Sequence, residues 1–394
     1  MSVRPGSKRL IREINESLVL DALRVHGSLP RVEIARLTGL SLPTITGITT
    51  RLADASLITE VSQGPSTGGR PPRILALNPA GGHVLGVWLS TGRLVAVTVN
   101  LVGEVVDHYA STWRGRSPAA AERAVAAAAK ELGSRTTSPV LGMGVTLSGV
   151  VDHDAGVVRH SGLFGWEDVP LGATLSERVG VPVTVDKLVN ALASSLVLYG
   201  EGRGVRDMLV VSAGHSIGLG IVLGAQVRHG LGGPTGSLGH TSVSVLGGDD
   251  SRPCHCGARG CLETVASEWA LRAEIERVCG LGIDEAAERA ADNEQVQRVF
   301  AVAGRALGGA VANIAKVINP ERIVLGGEET RLGPAILEPF AKQLHHALSG
   351  ATDHDIDVQV VSTDEQTWAY GAACQSLTKL FQVSGAREPD GEGA

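Results

Sequence analysis

The stretch "CHCGARGCLE" at residues 254–263 gathers Cys254, Cys256 and Cys261, three of the chain's five cysteines. Whatever the chain folds into, the backbone must wrap on itself here, and Gly257 and Gly260 allow it to do so tightly. Five cysteines in 394 residues are too few for a disulfide framework, and their clustering favours a metal. Zn²⁺ prefers four nitrogen or sulfur ligands in a tetrahedron, and a Cys-x-Cys pair with a later Cys supplies three. His255, His240, Cys279 and Cys374 are the candidates for the fourth, although His255, lying between two ligands, should point away. Four protein ligands would leave no position open for water, which makes such a zinc structural.

No apolar run approaches the roughly 18 residues of a membrane span. The N-terminal "MSVRPGSKRLIREINES" is charged and has no apolar signal core. The expectation is a cytoplasmic chain of two or three domains without membrane contact. Charge divides unevenly along it. Residues 1–79 carry 10 Lys and Arg against 6 Asp and Glu, or +4, which leaves −10 for the remainder of a chain whose net charge is −6. A small basic unit on a large acidic one suggests a nucleic-acid contact at the N-terminus.

Within residues 1–79, "ESLVLDALRVHG" has Leu18, Ala22 and Val25 at helical spacing. "LPRVEIARLTG" predicts a second helix with Ile34, Ala35 and Leu37 inward and Gly39 in the turn. A third begins at the N-cap Ser41 with Pro43 in its first turn. Its inward face is Ile45, Ile48, Leu52 and Ala55, leaving Thr44, Thr46, Gly47, Thr49, Thr50 and Arg51 outside. This pattern describes a helix-turn-helix. Leu57–Val61 and Ile74–Leu77 then flank a loop of Gly, Pro, Ser and Arg, a wing hairpin whose Arg70 and Arg73 suit a narrow minor groove. No aromatic residue precedes Trp88, so base stacking has no platform and double-stranded DNA is the expected partner. The candidate DNA contacts are Arg31, Ser41, Thr44, Thr46, Thr49, Thr50, Arg51, Arg70 and Arg73.

From Val84 onward, β-rich runs give way to helix–strand alternation, and the pattern repeats once. This predicts two α/β lobes with a cleft between them. "SGAREPDGEGA" reads as a disordered tail, placed at 384–394.

"IGLGIVLGAQVRHGLGGPTGSLGH" followed by "CHCGARGCLETVAS" resembles the signature of the ROK family of repressors, open reading frames and sugar kinases. The resemblance spans most of residues 10–383. It implies a two-lobed actin-like, ribonuclease-H-like α/β fold, and its repressor branch carries an N-terminal winged helix-turn-helix. The implied division is a DNA-binding domain at 1–79, a small lobe at 80–190 completed by a C-terminal helix near 366–383, and a large lobe with the zinc site at 191–365. The resemblance also implies His240 as the fourth zinc ligand beside Cys254, Cys256 and Cys261.

Sugar kinases of the family need an aspartate base and a Gly-rich phosphate loop. Here the Asn-Asp pair carrying the base has become Lys187–Leu188. Trp88 stands at the aspartate of the phosphate loop with Ser90 at a glycine, and Glu328 replaces a third glycine of "IVLGG". Together these argue for a regulator without kinase activity. The positions matching family sugar contacts are Ser148, Gly149, Lys187, Asn190, His240 and Glu263. Gly162 and Ser237 replace the usual Asn and Glu, so the pocket is altered. Lys187 adds a cation and Leu188 removes an anion, which adds a sugar phosphate to the expected effectors, a sugar or an aminosugar. The chain is therefore expected to be a sugar-responsive repressor, acting as a homodimer or dimer of dimers on an operator.

Overall fold

The computed structural model describes residues 8–63, 73–243, 252–350 and 355–381. Arg70 and the expected tail lie outside them. The N-terminal head is α1 (Lys8–His26), β1 (Leu29–Pro30), α2 (Arg31–Thr38), α3 (Leu42–Asp54), β2 (Ile58–Gln63) and β3 (Arg73–Leu77). Gly39, with φ 71°, stops α2 in the left-handed region, and the Ser41 hydroxyl caps α3 by accepting from Thr44 N–H. Ile34, Ile45, Ile48 and Leu52 form the buried seam, and β3 lies between β1 and β2 in an antiparallel sheet.

Three sequence expectations for the head need correction. The buried residues of α1 are Val19, Leu20, Ala22 and Leu23, while Leu18 and Val25 face outward. The helix packs on two sides at once, so the stripe at Leu18 is not the one covered. Ala55 is exposed because it caps α3 instead of extending its inner face. Thr49 is fully buried, its hydroxyl accepting from Arg31 Nε at 2.8 Å. That bond lets a polar residue occupy the seam.

The first lobe comprises β4 (His83–Ser90), β5 (Arg93–Asn100), β6 (Val105–Thr112), α4 (Pro118–Arg135), β7 (Val140–Leu147), β8 (Val150–Asp152), β9 (Val157–Ser161), β10 (Trp166–Val169), α5 (Leu171–Val179) and β11 (Val183–Lys187). Its main sheet runs β11-β7-β4-β5-β6, with β8, β9 and β10 as a small side sheet. Next, α6 (Leu188–Tyr199) leads into the second lobe. This holds β12 (Met208–Ala213), β13 (Ile217–Leu223), β14 (Gln226–Val227), α7 (Glu263–Ala266), α8 (Glu268–Cys279), α9 (Ile283–Arg289), α10 (Glu294–Ile318), β15 (Arg322–Gly326), α11 (Pro334–Leu348) and β16 (Asp357–Val360). Its sheet order is β14-β13-β12-β15-β16.

The last helix, α12 (Glu365–Phe381), returns to the first sheet. There Gly144 is required, since a Cβ would lie 1.7 Å from Ala372 O, and Gly86 meets Ala369 O in the same way at 2.0 Å. Although charged residues interrupt it, α10 is by length and mean hydropathy apolar enough to cross a bilayer. Phe300, Leu307 and Val311 instead bury it in the core of the second lobe.

The head is fused to the first lobe by a shared core. Val19, Leu20 and Leu23 of α1 belong to one cluster with Val97, Leu198, Ala373, Leu377 and Phe381. At its edge the Arg24 side chain is 6% exposed, paired with Asp21 at 2.7 Å. It donates to Leu198 O and lies within 6 Å of the Tyr199 and Phe381 rings, at 5.9 and 5.8 Å. Thus α6 reaches from the interlobe cleft, where Lys187 caps it, to the head, where Leu198 and Tyr199 end it.

Candidate functional site

The Cys-rich stretch closes on His240, which ends a short 3₁₀ turn, Leu238–His240. His240 Nδ1 lies 3.6 Å from Cys254 Sγ, and Cys256 Sγ lies 3.7 Å from Cys261 Sγ. The four donor atoms all fall within 4.8 Å of one another. Tetrahedral zinc with Zn–S bonds of about 2.3 Å requires S–S edges of about 3.7 Å, so the set fits a dication. Gly257 and Gly260, with φ 89° and 71°, make the wrap. Burial raises the Cys254 and Cys261 thiols, the latter to about 12, whereas the Ala258 amide lowers Cys256. A bound cation would draw all three toward thiolate. His255 lies outside the four-donor set.

The interlobe cleft is organised by Asp186, the penultimate residue of β11, which is fully buried. Its Oδ1 accepts from Lys187 N–H at 2.8 Å and Asn190 Nδ2 at 2.9 Å. Its Oδ2 faces Gln375 Nε2 at 2.9 Å, His153 Nδ1 at 3.1 Å and His229 Nε2 at 2.8 Å. Burial alone would raise this carboxyl, but the two imidazoles overcome it and hold Asp186 below the usual carboxylate range. The two rings stack with centroids 3.8 Å apart. Beside them Lys187 Nζ donates to Thr235 O, and burial lowers its pKa against the pull of Asp186. The added cation of Lys187 thus sits next to an anion, which offsets the positive balance expected from the sequence.

The expected ligand contacts do not all converge. Asn190 is buried and donates to Asp186 Oδ1. Glu263 is also buried, accepting from Ile217 N–H at 2.9 Å, and burial raises it to about 7. It lies under Gly239, where a Cβ would meet its Oε2 at 2.0 Å, and so supports the turn carrying His240 from beneath. Ser148 gives its carbonyl to Ser161 Oγ at 2.6 Å, and Gly149 has φ 152° against His160 O. Asp186, His153 and His229 were missed. Asp186 immediately precedes the Lys187–Leu188 replacement, but no local motif links it to either histidine.

Trp88 and Leu188, expected from the resemblance to stand at kinase aspartate positions, are both packed among apolar residues, against the cluster of Val189, Leu192, Ala193, Val210 and Trp368. The Glu328 side chain lies outside the described ones.

On the head, Ser41, Thr44, Thr46, Gly47 and Thr50 are exposed along α3. Arg51 is exposed but pairs with Glu16 at 2.9 Å, Arg73 pairs with Glu60 at 3.0 Å, and Arg31 clasps Thr49. The exposed threonine hydroxyls bond within α3 or its cap, Thr44 with Ser41, Thr46 with Leu42 O and Thr50 with Thr46 O, and Arg31, Arg51 and Arg73 are held by partners.

The ROK family model matches residues 93–378. The chain belongs to the ROK family. A xylose repressor of Caldicellulosiruptor bescii is 26% identical over 95% of this chain and 98% of its own length. A glucokinase of Halalkalibacterium halodurans is 33% identical over 56% of this chain and 71% of its own. The crystal structure of a ROK family transcriptional regulator, a homologue of the E. coli MLC protein, covers 94% of this chain and 98% of its own with 26% identity and a TM-score of 0.78. The likeness to regulators thus includes the head, as befits a ROK transcriptional regulator.

Proposed function

We propose that this ROK protein is a sugar-responsive repressor that binds duplex operator DNA through its head and has no kinase activity. The observation that carries this reading is that Trp88 and Leu188, which the resemblance matches to the phosphate-loop aspartate and the catalytic base, pack in one apolar cluster beside a cleft joined by α6 to the N-terminal head. The four-donor cluster would hold structural zinc, and two copies would read two half-sites. The cleft effector is a sugar, an aminosugar or a sugar phosphate. Its closure of the lobes would alter the spacing of the heads.

The test is a fluorescence-anisotropy titration of the full chain on duplex DNA across a salt series, repeated with a panel of these effectors. Affinity should fall steeply with salt, at least one effector should release the DNA, and Arg70→Ala with Arg73→Ala should weaken binding about tenfold or more. ATP-dependent phosphorylation of any panel sugar would overturn the reading, as would binding that no effector alters.

A further inference from the structure

We infer that His153, Asp186 and His229 form a second metal site, distinct from the Cys-rich clamp, which takes a divalent borderline ion such as Zn²⁺ across the junction of the two lobes. Their donor atoms lie within 4.8 Å of one another. His153 Nδ1 and His229 Nε2 converge on one carboxylate oxygen, Asp186 Oδ2, at 3.1 and 2.8 Å. Two imidazole nitrogens and a carboxylate oxygen are a donor set that zinc accepts from protein, with the remaining position left to water.

The surroundings are those of a held ligand. A carboxylate that coordinates metal needs its other oxygen fixed by hydrogen bonds. Here Asp186 Oδ1 is fixed by Lys187 N–H and Asn190 Nδ2, and Gln375 from α12 supports Oδ2. Lys187 Nζ, beside the site, donates to Thr235 O. A fully buried carboxylate facing two imidazole nitrogens offers a negative charge that a dication would balance.

The chain positions give the site its consequence. Asp186 ends the first-lobe sheet and His153 follows β8 of the same lobe, whereas His229 follows β14 of the second lobe. The loop bearing His229 is pressed on the first lobe, since a Cβ on Gly233 would lie 2.1 Å from Val151 O. An ion held by these three residues would therefore fasten one lobe to the other.

The test is zinc titration of the full chain followed by native mass spectrometry, with Co²⁺ spectra taken in parallel. Wild-type protein should bind two equivalents. His153→Ala and His229→Ala, both partly exposed positions, should each retain one and bind the second at least tenfold more weakly. The second Co²⁺ should add ligand-field bands without further thiolate charge transfer, and zinc should raise the melting temperature of wild type more than that of His229→Ala. His345→Ala with His346→Ala, an exposed pair on α11, serves as the control and should keep both equivalents. Saturation at one equivalent overturns the site, as does a second equivalent unchanged in the His153→Ala/His229→Ala double variant or one carrying thiolate charge transfer. DNA release by a sugar is a separate readout, so loss of the metal site and failure of the repressor reading remain distinguishable.

Discussion

Where the head meets the first lobe, Arg24 is enclosed by Tyr199, Phe381 and the aliphatic residues of α1 and α12. Where the two lobes meet, Asp186 gathers two histidines, an asparagine and a glutamine, and the wall opposite is a glycine-rich loop. An apolar joint resists relative motion, because separation exposes carbon surface. The interlobe junction has an apolar part too, where α6 and Trp368 pack on Val210, Val222 and Val324, but its polar group at Asp186 can exchange partners for water or a ligand at low net cost. The head thus shares one continuous apolar core with the first lobe, whereas the two lobes are joined by the cluster around α6 and by the polar group at Asp186.

The strongest way to break this contrast is to damage the wall of the cleft and leave the head joint intact. Chelation, or Cys261→Ser, should abolish effector-dependent DNA release and unfold residues 240–243 and 252–263, read by hydrogen exchange. Amides of α1 should keep their protection. Next in size, Arg24→Ala should cost about 2 kcal/mol in urea unfolding, from lost packing. If it instead left stability unchanged while altering effector affinity, the two joints would not be separate.

A smaller effect tests the element the joints share. Asp364 caps α12, accepting from Thr367 N–H and Oγ1 at 2.7 Å each, and the amide bond lowers its pKa below 3.8. Asp364→Ala should cost about 1 kcal/mol in thermal unfolding. Because the folded value is depressed, the cap contributes fully above the unfolded value and is lost as pH falls through the folded one. The difference between wild type and variant should therefore shrink below about pH 4. Smallest of all, Thr46→Ala on the exposed face of α3 should leave stability within about 0.5 kcal/mol and change only operator affinity.

Local chemistry made part of this molecule legible from residues alone. Gly39, Ser41 and Pro43 set the turn and start of α3, and "CHCGARGC" pointed to a metal because its donors are neighbours in the chain. Long-range packing was not legible in the same way. Leu18 and Leu23 both sit on apolar stripes of α1, and only the return of α12 decides which is covered. Thr49 reads as a surface residue until Arg31 supplies its partner. His153, Asp186 and His229 come from three separate strand ends, so no spacing in the sequence announces them.

The helix α6 is twelve residues long, with the cleft at one end and the head at the other. At 1.5 Å per residue it is a lever arm of about 18 Å. A tilt of about 10° at Lys187 would swing Tyr199 by about 3 Å. In a symmetric dimer the two swings would add, so that heads set one turn of DNA apart would miss the groove by roughly twice that distance.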